Sequence, residues 1–177
     1  MERILSVPDI FPQKYSDIIQ KYIKRLNTIL SEYDAVIFMA RKAICFYDSL
    51  IMQKEISKTP NCCIMSSRVL EYNVLKRFIG KKVALIDDVV VKGTSITTAM
   101  DNLEETGIEP DIFIAACDIN FISNNSEIKK YIREPYIILN ETDICEFATY
   151  ITKYIEAVGC PYNICLLYTS PSPRDCS

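Results

Sequence analysis

From Pro12 to Glu32 the apolar residues Ile18, Ile19, Tyr22, Ile23, Leu26, Ile29 and Leu30 recur at helical spacing, with Lys14, Lys21, Lys24 and Arg25 between them. This predicts an amphipathic helix. The period then changes, because Ala35-Val36-Ile37-Phe38-Met39-Ala40 is continuously apolar, as in a strand buried on both faces of a parallel sheet. Arg41-Lys42 breaks the run, and the density of Ala43 to Met52 predicts a buried helix. Cys62 to Met65 reads as a second strand ending at Ser66-Ser67-Arg68, and Val69 to Ile79 as a short helix closed by Gly80. Val83 to Ile86 opens a third strand whose tip continues over Val89-Val90-Val91, and a helix from about Ser95 to Glu105 stops at Gly107. Asp111 to Cys117 and Pro135 to Leu139 are further strands around a polar stretch from Ser123 to Lys130. Ile144 to Val158 returns to helix, with Phe147, Ile151, Tyr154 and Ile155 as its stripe. This alternation predicts an α/β, three-layer fold: a central, mostly parallel sheet flanked by helices, Rossmann-like in topology.

A chain of 177 residues can bury one hydrophobic core, and a formal net charge of −3 gives no reason to expect nucleic acid as a partner. No apolar run reaches the roughly 18 residues of a membrane helix, and Met1-Glu2-Arg3-Ile4-Leu5 followed by Pro8 and Asp9 does not read as a signal peptide. A cytoplasmic protein without a membrane partner is expected. The eight cysteines form no C-x-x-C pair and the chain has no histidine, so zinc spacing is missing and buried, inert thiols are expected instead of disulfides. The segment from Cys165 to Asp175 resembles the translation of a sequencing adapter. Residues 165–177 are accordingly expected to be a non-native tail, and residues 1–164 a domain at the N-terminal end of a longer protein.

The chemistry concentrates where strands end. Asp87-Asp88 stand where the third strand should leave the core; two adjacent carboxylates are expensive to bury, so solvent, a cation or a ligand hydroxyl is expected beside them. Val91-Lys92-Gly93-Thr94-Ser95 then supplies a flexible glycine, two hydroxyls and free amides at a helix start, a combination that suits an anion. Arg41 and Lys42 sit at the end of the first strand, where open α/β sheets bind ligands, and Arg68 follows the second in the same way. Phe121 and Ile122 are read as packing residues.

The run Ala84-Leu85-Ile86-Asp87-Asp88-Val89-Val90-Val91-Lys92-Gly93-Thr94-Ser95-Ile96 is similar to the phosphoribosyl-pyrophosphate (PRPP) motif of type I phosphoribosyltransferases. The resemblance implies that fold, with Val91 to Ser95 holding the ribose 5-phosphate and Asp87 and Asp88 facing the ribose 2- and 3-hydroxyls as the catalytic pair. Ala40-Arg41-Lys42-Ala43 matches the family's pyrophosphate loop, which often carries a non-proline cis peptide; one is expected at Ala40-Arg41 or Arg41-Lys42. Arg68 becomes a loop cation. The implied activity, a step of nucleotide metabolism, is transfer of the phosphoribosyl group from PRPP to a nitrogen acceptor such as a nucleobase, with release of pyrophosphate. Mg2+ would be bound through the pyrophosphate, with no direct protein ligand, and a homodimer is compatible with the resemblance.

Two other readings stay open. A domain of the same fold can sense PRPP or a nucleotide without turnover. A Rossmann-like or response-regulator domain could use Asp87-Asp88 for a metal or a phosphoryl group, although neither design needs Gly-Thr-Ser at that distance and no G-x-G-x-x-G or G-x-x-x-x-G-K-[ST] is present.

Overall fold

Pro12 caps the first described helix, where its missing N–H costs nothing, and its carbonyl accepts from the amides of Tyr15 and Ser16, both at 2.9 Å. The computed structural model describes residues 10–40, 42–43, 46, 61–66, 72–134 and 136–158. Within these, α1 spans Gln13–Leu30 and buries Tyr15, Ile19, Tyr22, Ile23, Leu26, Ile29 and Leu30 on one face, the stripe read from the sequence. Phe11 and Tyr15 bring that face against Phe147 of a C-terminal helix, with ring centroids 5.2 and 5.3 Å apart.

The strands are β1 (Ala35–Met39), β2 (Asn61–Met65), β3 (Val83–Val90), β4 (Asp111–Asp118), β5 (Ile132–Arg133) and β6 (Ile137–Leu139). They form a six-stranded sheet in the order β2-β1-β3-β4-β5, with β6 also on β4. Every strand pair is parallel. All of β1 and residues 83–86 of β3 are buried, which is why these segments read as unbroken apolar runs. The helices are α1, α2 (Tyr72–Leu75, continued as a 3-10 turn over Lys76–Phe78), α3 (Thr94–Thr106), α4 (Ile119–Asn124), α5 (Ser126–Lys129) and α6 (Glu141–Val158). None of the helices among the described residues is long and apolar enough to cross a membrane.

β3 runs to Val90 and carries both acids within it, in keeping with the strand tip read over Val89-Val90-Val91. Two features differ from the sequence reading. The polar stretch after β4 folds as α4 and α5, because Asp118 caps α4 by accepting from the amides of Asn120 and Phe121. β5 has only two residues, too few for an alternation to register. Of the helix expected from Ala43 to Met52, only Ala43 and Phe46 are described; both are buried, and the Ala43 amide donates to the Met39 carbonyl at 3.2 Å. Its remainder, the tail from 165 onward and the expected cis peptide at Arg41 lie outside the described residues.

The order of the sheet locates a crevice. From β1 the chain goes first to β2 on one side and then to β3 on the other, so the switch in winding direction falls between β1 and β3. In open α/β sheets the space beyond the carboxyl ends of two such strands is left uncovered and receives ligands.

Candidate functional site

At that switch point Ala40 follows β1, and its amide donates to the Met65 carbonyl at 2.7 Å, tying the ends of β1 and β2 together. Lys42 is half-buried one turn later, and its charge acts on both Asp87 and Asp88. Arg41 and Arg68, the other expected cations, lie outside the described residues.

Asp87 and Asp88 are 8% and 3% exposed. Both acids are thus buried in the sheet, with the Lys42 charge acting on them. The Asp88 amide donates to Asp87 Oδ1 at 2.9 Å, but Asp88 Oδ2 is buried and has no hydrogen-bond partner among the described residues. Burial raises the Asp87 carboxyl well above its ordinary range, and the Asp88 charge raises it further. Asp88 is also raised by burial, while Lys42 and the hydrogen bond from Asp87 pull it the other way. Burial thus raises both carboxyls, and one Asp88 oxygen is left unsatisfied among the described residues. Lone pairs left bare in this way are rare in folded proteins and suit a ligand that brings hydroxyl donors.

Past β3, Gly93 adopts φ 80°, the left-handed turn that starts α3. A Cβ there would fall into the edge of the Phe121 ring, 2.6 Å from Cδ2, so glycine is required by space as well as by φ. Its carbonyl accepts from the Thr97 amide at 2.9 Å. The amides of Thr94, Ser95 and Ile96 have no partner within the helix, and Lys92, Thr94 and Ser95 are exposed at the same end. Val91 is half-buried and links this loop to the acids.

The structure thus brings Ala40, Lys42, Ala43, Asp87, Asp88 and residues 91–95 to the carboxyl ends of adjacent strands, β1 and β3. It adds Asp118 and Cys117 at the end of β4, which the sequence reading passed over. Asp118 could have been found as an N-cap signal, an aspartate directly after an apolar run. Burial and the charges of Asp87 and Asp118 push the Cys117 thiol up to about 12, which keeps it protonated and unreactive. Among the described residues, cysteines 62, 63, 117 and 145 form no disulfide; Cys117 is buried and Cys145 exposed.

Neither a protein-family model nor a curated sequence matches the chain. The domain nevertheless has the α/β fold of type I phosphoribosyltransferases. It aligns with a hypoxanthine-guanine-xanthine phosphoribosyltransferase at a TM-score of 0.52 and 18% identity, over 80% of this chain and 83% of that one. A hypoxanthine phosphoribosyltransferase from Staphylococcus aureus aligns at 0.51 and 18% identity, over 79% of this chain and 78% of that one. At such identity the likeness is one of fold.

Proposed function

We propose that this domain binds PRPP and transfers its phosphoribosyl group to a nitrogen acceptor such as a nucleobase, releasing pyrophosphate. The observation that carries the reading is the buried Asp87-Asp88 pair with an unsatisfied oxygen, one short loop away from the free amides of α3, at the switch point of the sheet. Ribose hydroxyls would donate to the carboxylates, while the amides and hydroxyls of Thr94 and Ser95, with the backbone of Val91 to Gly93, would hold the 5-phosphate. Ala40 to Ala43 would face the diphosphate, with Lys42 as its described cation, and Arg68 would add a second from the loop after β2.

Among the described residues no cluster of three or more acid, cysteine or histidine ligands could cage a metal. Two carboxylates beside a cation suit Mg2+ that arrives on the diphosphate and keeps most of its oxygen ligands from phosphate and water. Bound in that way it would neutralise the leaving group. The work of this chain is then to position C1 between leaving group and nucleophile and to stabilise the positive charge that develops on the sugar by the carboxylates beneath it. No protein nucleophile is required, which agrees with a chain that has no histidine.

Calorimetry with PRPP and Mg2+ on the wild type and on Asp87→Asn/Asp88→Asn tests the proposal. Binding by the wild type that is lost in the double variant is expected, and no binding by the wild type would overturn it. A panel of bases assayed for pyrophosphate release then separates a transferase from a sensor of the same fold, which would bind without release.

A further inference from the structure

Phe121 lies outside the Asp-Asp and Gly-Thr-Ser segments, yet its ring rests on the one backbone position that shapes the loop between them. It is 4% exposed, whereas its neighbour Ile119 is 51% exposed. Its backbone is held on both sides: its amide donates to Asp118 Oδ1 at 3.4 Å, and its carbonyl accepts from the Asn125 amide at 3.1 Å and from Asn125 Nδ2 at 3.0 Å. Asp118, itself 4% exposed, is further fixed by the Asn120 amide at 2.7 Å. The ring so anchored leaves no room for a side chain at Gly93, the left-handed residue from which α3 starts.

We infer that Phe121 is a positioning residue for the phosphate loop: its ring, carried on a backbone held by Asp118 and Asn125, presses on Gly93 and holds the left-handed turn that aims the amides of Thr94, Ser95 and Ile96 at an anion. This rests on the reading of residues 91–95 as a sugar-phosphate cradle, but it makes a separate claim about loop order. Gly93 has no side chain with which to hold itself, and its own φ allows many other conformations. The apolar cover supplied by Phe121 selects one of them and shuts water out from behind the loop. The same clamp links the end of β4 to the loop after β3, so a change at Asp118 or Asn125 would reach the phosphate side through the ring.

Two measurements test this. Amide hydrogen exchange at Gly93 to Ile96 should quicken at least tenfold in Phe121→Ala and return close to wild type in Phe121→Leu, with β1 and β4 core amides changing far less. Titration with ribose 5-phosphate should show about tenfold weaker binding in Phe121→Ala and rescue in Phe121→Leu. Unchanged exchange in Phe121→Ala overturns the inference. If the wild type fails to bind ribose 5-phosphate, the cradle reading falls while the exchange result still decides the role of Phe121. Should Phe121→Ala not fold, Gly93→Ala is compared in the wild type and in Phe121→Leu: a smaller penalty in the leucine background supports contact between ring and loop, and equal penalties overturn it.

Discussion

At the amino-terminal end of the strands, Asp111 accepts from the Tyr33 hydroxyl at 2.6 Å and pairs with Arg133 at 2.7 Å, and Asp34 Oδ2 accepts from the Lys82 amide at 2.9 Å. At the carboxyl end, Asp87 and Asp88 are more deeply buried, lie against one another, and leave Asp88 Oδ2 without a partner among the described residues. The same residue type at the two ends of one sheet thus serves different ends. The satisfied carboxylates tie β1, β3, β4 and β5 together where the chain enters the sheet. The unsatisfied pair brings no comparable return in stability, and its desolvation works against folding. Buried charge that the fold does not satisfy itself is what separates a site from a staple here.

The largest effect that would sharpen this contrast is on binding. Asp87→Asn/Asp88→Asn should weaken PRPP affinity by about 100-fold or more, since each charge-assisted hydrogen bond is worth ~1.5–3 kcal/mol, while the thermal midpoint does not fall. Calorimetry and a melting scan on the same sample check both halves, and loss of stability together with binding would erase the difference between the ends.

A smaller effect of opposite character is expected at the other end. Asp111→Ala strips the Tyr33 hydroxyl, which is 9% exposed at the residue level, of its acceptor and should destabilise by about 1–2 kcal/mol. The Arg133 pair adds little, because that side chain is 45% exposed. Urea denaturation measures the loss, and PRPP affinity should stay within about twofold of wild type, because Asp111 lies at the opposite end of β4 from the crevice.

Much of this was legible in the residues. The stripe of α1, the apolar runs of β1 and β3 and the glycine stops announced the elements, because burial on both faces or on one leaves a distinct period. The Asp-Asp and Gly-Thr-Ser spacing announced the candidate site because adjacent carboxylates are costly to bury without a partner. What stayed hidden depends on contacts between segments far apart in the chain. Nothing near Phe121 states that its ring meets Gly93, and β5 exists only because β4 offers an edge for Ile132 and Arg133. The depth at which Asp87 and Asp88 sit is set by the neighbouring β4, which pairs as far as Cys117 and keeps β3 in the sheet to Val90, a contact that local sequence does not state.

The smallest expected effect concerns stability alone and fixes the sign of the acid pair. In the folded chain the Asp87 carboxyl binds its proton well above the ordinary value of 3.8, so between that value and its folded value the native state holds a proton that the unfolded chain has released. Stability therefore falls as pH rises through this window, and above it the penalty is constant. Asp87→Asn removes the titrating group while keeping the shape. The variant should be more stable than the wild type at neutral pH, with a higher Tm, and the advantage should shrink as pH falls and vanish below about 3.8. Melting scans at intervals between pH 4 and 8 measure it. A variant less stable than wild type at neutral pH would mean that Lys42 and the pair form a structural salt bridge. The carboxyl end of the sheet would then be held together in the same manner as the amino end, and its buried charge would no longer mark it as the place where a ligand completes the fold.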